Sequence, residues 1–309
     1  MRLPYQKIIT VQPHQPYNFA LTLREIDQYP LDVTERIMGQ SLLRGIRLKS
    51  GKPVLVAIQA AEQSSLSVDI YAKNSVESGE VISGIEHFLN LDLDLNQWYN
   101  SIDETDPMHQ IISELRGFKP IAKPTIFESI VTAILEQQLT VRFACTLETR
   151  LIQTFGEKLV GDQGVVWLFP TPEKLAQVDI EDLRELQISK MKSSYIIDLA
   201  IMIISGEISP EKWKALNDTE LIGHLISIRG VGQWTAEYVA LIGYRRFNHA
   251  PAADIGLRNA VTALTNGKNQ LSEEATREYM NRWDDFKGLA TFYIWHAYSA
   301  GMITTKGDK

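Results

Sequence analysis

Two glycines set two residues apart do more than any other feature to limit what residues 218–264 of this 309-residue chain can fold into. Leu221, Ile222, Leu225 and Ile226 recur at i, i+3 and i+4, the mark of one buried helical face. The run IRGVGQWTA then breaks that face at Gly230 and Gly232. Glycine tolerates positive φ and lets a second backbone come close. A second helix is expected over 233–242, stopped by Gly243. The stretch therefore predicts two short helices joined by a glycine hairpin, about 218–243, with Asp218 and Thr219 as candidate N-caps. The start of the second helix leaves N–H groups unpaired at the positive end of the helix dipole, which suits a phosphate. A plain αα-hairpin without a ligand would carry the same glycines.

About twenty residues later PAADIGLRNAVTAL opens another helix, 254–264, with Asp254 at its start. An aspartate there is a good N-cap, and most such aspartates only cap. The hairpin and Asp254 together nevertheless resemble the helix-hairpin-helix base-excision DNA glycosylase superfamily. The nearest resemblance is to the bacterial inducible 3-methyladenine-DNA glycosylases (type II), weak over the first hundred residues and good from about Pro120 onward. The resemblance implies that Asp254 is the catalytic carboxylate. Cleaving an N-glycosidic bond builds positive charge on the deoxyribose, akin to glycoside hydrolysis. A fixed anion steadies that charge, and it can orient or deprotonate the attacking water. A helix N-terminus should favour its ionised form. One departure is Ala253, where many relatives carry a polar or acidic residue.

The same resemblance assigns further residues. Trp234, Tyr238 and Trp295 would line the base pocket, although Trp234 reads equally as a core aromatic. Aromatic faces attract the delocalised charge of an N-alkylated purine, by about 1–2 kcal/mol when desolvated. Gly230, Val231, Gly232 and Thr235 would meet DNA phosphates. Gln137 and Gln138 read either as a polar turn between helices or as a wedge loop, with Gln138 at the wedge position and Leu139 its neighbour. Such a wedge offsets the few kcal/mol that base flipping costs. Main-chain carbonyls of Ile226, Ile228 and Val231 would hold a monovalent Na+ or K+. The lyase branch carries a lysine at the second position after GVG, which forms a Schiff base. Here Trp234 stands at that position, and no lysine occurs from 215 to 267. A monofunctional enzyme without AP-lyase activity is expected.

Charge bears on the partner. The net charge of −7 argues against a nucleic-acid partner if taken whole. Residues 1–115 carry 9 basic and 15 acidic side chains, however, while residues 116–309 carry 22 and 23. Arg229, Arg245, Arg246 and Arg258 outnumber Glu237 and Asp254 over 225–260. A locally positive face with few ionic contacts and a modest salt slope is expected. The single Cys145 excludes a disulfide framework or a Cys-ligated iron–sulfur cluster, and reads as a small core residue. The six histidines show no ligand spacing for zinc. No nucleotide-binding glycine motif occurs. No signal peptide or membrane span is read from the sequence.

The expected fold is α+β. Residues 1–112 would form an antiparallel sheet domain resembling half of the TATA-binding protein. Three strands are read in SLLRGIRLKS, KPVLVAIQAA and SLSVDIYA, flanked by helices at 18–26 and 79–89. Residues 113–309 would form an all-α, two-lobed glycosylase region. Everything after Pro124 reads as helical, including 192–204 and 273–300, with Thr140 as a cap, Thr171 opening a helix with Pro172, and Trp283 and Tyr293 in the core. The expected protein is a monomer acting on double-stranded DNA containing alkylated bases, in the cytoplasm and nucleoid-associated when bound, needing no cofactor. The alternatives are a glycosylase for deaminated or oxidised bases, or a non-catalytic binder of DNA structure in which Asp254 only caps.

Overall fold

In the computed structural model, residues 2–28 and 32–304 are described, so the expected outer limits at 1 and 309 lie outside them. The three expected strands are β3 (Ser41–Arg47), β4 (Pro53–Ala60) and β5 (Leu66–Tyr71). Two more, β1 (Tyr5–Val11) and β2 (Glu35–Met38), complete an antiparallel sheet of order β1-β5-β4-β3-β2. The register sets Leu42 opposite Ile58, and Ile58 opposite Val68. These side chains share the sheet face covered by α1 (Phe19–Asp27) and α2 (Ser78–Leu89), through Phe19, Ile26, Val81, Ile85 and Phe88.

Residues after Pro124 are not wholly helical. A hairpin of β6 (Glu157–Gly161) and β7 (Gly164–Leu168) interrupts them. Its Leu159, Val166 and Leu168 pack on Leu43, Leu55 and Tyr71, the other face of the N-terminal sheet. That second cover explains why β3 is buried along five consecutive residues instead of alternating. The signal was present as two short β-rich runs around Gly-Asp-Gln-Gly. The expected single helix over 273–300 is also broken. It is α13 (Glu273–Met280), a 3-10 turn, then α14 (Lys287–Ser299), with Asp284 at φ 40 in between. Burial of Trp283, 4% exposed and edge-on to Tyr279, turns the chain there. Among the described residues no helix is long and apolar enough to cross a membrane.

The helices bury two cores. One joins α5 (Ile126–Glu136), α6 (Val141–Phe155), α7 (Pro172–Leu175), α8 (Ile180–Glu185), α9 (Lys190–Ile204), α10 (Asp218–Ser227) and α11 (Gln233–Ile242). The other joins α3 (Asn96–Asn100), α4 (Pro107–Glu114), α12 (Ile255–Leu264), α13 and α14. Leu95, Trp98 and Met108 belong to this second core, so the packing does not break at the boundary expected near 112. Trp283 and Tyr293 lie in it, as read from the sequence.

A buried ion network fastens the sheet to the helices. Arg44 on β3, 3% exposed, bonds Glu35 and Thr34, and its guanidinium lies 3.7 Å from Glu128 of α5. Lys123 reaches Glu148 of α6 at 3.0 Å. Burial pushes the Glu35 and Glu128 carboxyls up to about 7, against the pull of Arg44 and Lys123. Such a network adds little net stability over an apolar core, but removing one partner strands the rest. Arg44→Met is therefore expected to lower unfolding free energy at pH 7 by about 3–5 kcal/mol in urea titrations. The loss should shrink toward pH 5, where Glu35 and Glu128 hold their protons and need no cation. A loss below about 1 kcal/mol, or one independent of pH, contradicts this account.

Candidate active site

The glycine hairpin forms as expected, with one change of cap. Asn217, not Asp218 or Thr219, caps α10, its side chain accepting from the N–H of Glu220 at 3.0 Å while Glu220 returns a bond to the Asn217 N–H at 3.3 Å. Asp218 instead bonds Asn248 and lies near Arg246. Gly230 sits at φ +89, and a Cβ there would overlap the Tyr195 ring. Gly232 starts α11 with nothing within 4 Å of a Cβ position. The Val231 N–H is bonded to the Ile228 carbonyl at 3.0 Å, and its side chain is 5% exposed. Thr235 is 2% exposed and accepts a bond from Gln137, so its hydroxyl faces inward and not toward a phosphate. Gly230 and Gly232 lie at the surface of the turn, while Val231 and Thr235 turn their side chains inward.

Gln137 and Gln138 take different parts. Lys192 donates to the carbonyls of Leu135 and Gln137 at 2.8 and 2.7 Å, closing the C-terminus of α5 with a cation. Gln137 donates to the Gly230 carbonyl at 2.8 Å and to Thr235 Oγ1 at 2.9 Å. The loop is thus pinned to the hairpin through Gln137. Gln138 follows in left-handed backbone, φ +57, and is exposed beside Leu139 at the mouth of a cavity.

That cavity, about 1210 Å³, opens between the two helical cores and reaches the N-terminal sheet domain. The three expected pocket aromatics meet on its wall. Trp234 and Tyr238, one helical turn apart on α11, stack at 5.4 Å and 17°. Trp295 of α14 stands edge-on to Tyr238 at 6.2 Å. Phe292 and Glu136 are among the lining residues that were not singled out from the sequence. Phe292 lies three residues before Trp295 on the same helix face, edge-on to it at 5.7 Å. Glu136, the last residue of α5, had its signal in adjoining Gln137.

Asp254 is both a cap and a wall of this cavity. Its Oδ1 accepts from the Leu257 N–H at 2.7 Å, and its Oδ2 from the indole N–H of Trp234 at 3.3 Å. The Gly256 N–H and the Trp295 indole also favour its charged form. The expected downward pKa shift is reversed. Burial raises the Asp254 pKa, and these donors only partly oppose it. The helix end is a weaker influence than loss of water here.

Two further expectations change. Cys145 is half-buried and lines the cavity, its thiol pushed up to about 11 by burial and then by Glu148, because α6 turns that face inward. The four arginines do not make a free positive face. Arg229 pairs with Asp198 at 2.6 Å, Arg245 with Asp92, and Arg246 reaches Asp218 and the Leu216 carbonyl, while Arg258 donates to the Leu271 carbonyl. Among the described residues no group of three or more His, Cys, Asp or Glu could hold a metal ion.

Residues 131–285 match the family model of the HhH-GPD superfamily base excision DNA repair proteins. A DNA-3-methyladenine glycosylase of Bacillus subtilis is 31% identical over 217 residues, covering 70% of this chain and 71% of its own. DNA-3-methyladenine glycosylase 2 of Escherichia coli is 23% identical, covering 93% of this chain and 96% of its own. The structure of a 3-methyladenine DNA-glycosylase from Archaeoglobus fulgidus superposes with a TM-score of 0.83 at 25% identity, over 94% of this chain and 98% of that one.

The two hairpin glycines should separate in a stability measurement. Gly230→Ala must strain φ and displace Tyr195, at a cost of about 1–3 kcal/mol. Gly232→Ala meets no atom and weakens only a cap position, by under about 1 kcal/mol. Equal losses in parallel urea melts would contradict the assigned geometry.

Proposed function

This chain belongs to the HhH-GPD superfamily of base excision DNA repair proteins, and from that membership we propose that it is a monofunctional DNA glycosylase excising alkylated purines of the 3-methyladenine and 7-methylguanine type. The observation that carries the reading is the Asp254 carboxylate, held in the wall of a cavity bounded by Trp234, Tyr238 and Trp295. The names and coverage of its full-length relatives support the substrate class.

In this mechanism Gly230, Gly232 and the first N–H groups of α11 grip the phosphates beside the lesion. Gln138, with Leu139 beside it, enters the gap left by the extruded nucleotide. The base lies against the wall formed by Trp234, Tyr238 and Trp295, whose π-systems favour its positive charge. Asp254 then steadies the sugar cation as the base leaves, in a site shielded from water. Its raised pKa makes it a better base toward the attacking water. The product is an abasic site. The Ile226, Ile228 and Val231 carbonyls, within one turn of the chain, offer the oxygen donors that a monovalent Na+ or K+ prefers. The duplex is bound by a single copy of the chain.

The engagement of nearby lysines supports hydrolysis over Schiff-base chemistry. Lys123, which lines the cavity, is held by Glu148, and Lys192 by two carbonyls, so neither amine is an unpartnered nucleophile. Asp254→Asn is expected to lower base release from methylated duplex by at least about 100-fold while binding of an abasic duplex persists. No release by the wild type would leave a DNA-structure binder instead. A covalent adduct trapped with borohydride would contradict the monofunctional assignment.

A further inference from the structure

Glu136 is an ionisable group on the cavity wall that the chemistry above leaves idle. It ends α5 and lines the cavity with Asp254, Trp234 and Tyr238. The Tyr238 hydroxyl shares that lining and favours the charged form of its carboxyl. The charged and titratable groups around it come from four elements. Glu148 and the Cys145 thiol lie on α6, Asp254 precedes α12, Lys123 precedes α5, and Lys192 lies on α9.

The balance of these groups is negative. Lys123 is committed to Glu148 at 3.0 Å, with Glu128 at 4.0 Å. Lys192 donates to the carbonyls of Leu135 and Gln137. Asp254, Glu136 and Glu148 thus border one half-buried space with little cation to spare. A purine alkylated at a ring nitrogen carries a fixed positive charge, while a deaminated purine such as hypoxanthine is neutral. Only the former supplies what the space lacks, and charge counts for more there than in water.

We propose that Glu136 is a specificity-determining residue, its carboxylate facing the purine while Asp254 faces the sugar, and that it makes the pocket favour cationic bases over neutral ones. This rests on the glycosylase reading above. Burial, with Glu148 adding to it, pushes the Glu136 carboxyl up to about 7, against Lys123 and the Tyr238 hydroxyl. Below that pH the carboxyl holds its proton and the preference fades. Above it the carboxylate is charged and the preference grows. Asp254 acts on the sugar of both substrates alike, so the ratio of the two rates isolates Glu136.

The test is single-turnover release of 3-methyladenine, from a dimethyl sulfate-treated duplex, and of hypoxanthine, from a synthetic duplex, between pH 5.5 and 8. In the wild type the rate ratio should rise with pH by about tenfold or more, with a midpoint near 7. Glu136→Gln keeps the shape and an acceptor for Tyr238 but no charge. Its ratio should drop to the wild-type value at low pH and stay flat. Glu136→Asp should restore part of the pH dependence. A flat wild-type ratio overturns the proposal even if the variants do not fold. So does an equal loss on both substrates in Glu136→Gln, which marks a structural role. A wild type that releases neither base defeats the glycosylase reading itself, whereas one that releases both at a constant ratio defeats only Glu136.

Discussion

Asp254 divides its two oxygens between two tasks, and the geometry of the site depends on that division. Oδ1 ends the hydrogen-bond ladder of α12, and Oδ2 meets the Trp234 indole. A side chain tied to its own helix loses rotamer freedom, so the second oxygen is aimed by the backbone. Precision of this kind matters in catalysis, where small misplacements cost large factors in rate. Capping and the proposed catalysis are therefore compatible roles for this aspartate. The helix start that makes aspartate a good cap is also what holds the carboxylate against the aromatic wall.

The surrounding supports come from distant parts of the chain. Lys192 closes the end of α5, and Gln137 ties the following loop to the Gly230 carbonyl and Thr235. The hairpin, the loop after α5 and the aromatic face of α11 are thereby one mechanical unit. The N-terminal sheet is part of the same site. Glu35, Arg44 and Phe88 reach the cavity, and the Arg44–Glu35–Glu128 network fixes the sheet against α5. Buried ion pairs are a poor source of stability but a good means of setting register between two units.

Charge is handled inward. The arginines near the hairpin are engaged by Asp198, Asp92, Asp218 and main-chain carbonyls. With these arginines paired, main-chain N–H groups and a helix dipole at the hairpin are what remain to meet a phosphate. That arrangement is weaker per contact but needs no net positive surface. The carboxylates left inside the cavity then set its electrostatic character, opposite in sign to what a DNA backbone would want.

Much of this was legible in the sequence, because local chemistry speaks for itself. Glycine spacing, apolar periodicity and an N-cap aspartate are short-range signals, so the hairpin, Asp254, Thr140, Thr171 and the β3–β5 meander stood out. Trp234 and Tyr238 share a face by helical spacing alone. What the sequence could not decide was anything set by packing between remote segments. The β6–β7 hairpin is a strand pair because the N-terminal sheet needs a second cover. The turn at Asp284 exists because Trp283 is buried. The inward hydroxyl of Thr235, the pairing of each arginine and the raised pKa of Asp254 depend on which neighbours exclude water, and burial is a property of the folded whole. The residues of the site were written locally, while the environment that tunes them belongs to the tertiary fold, because desolvation and charge act through space and not along the chain.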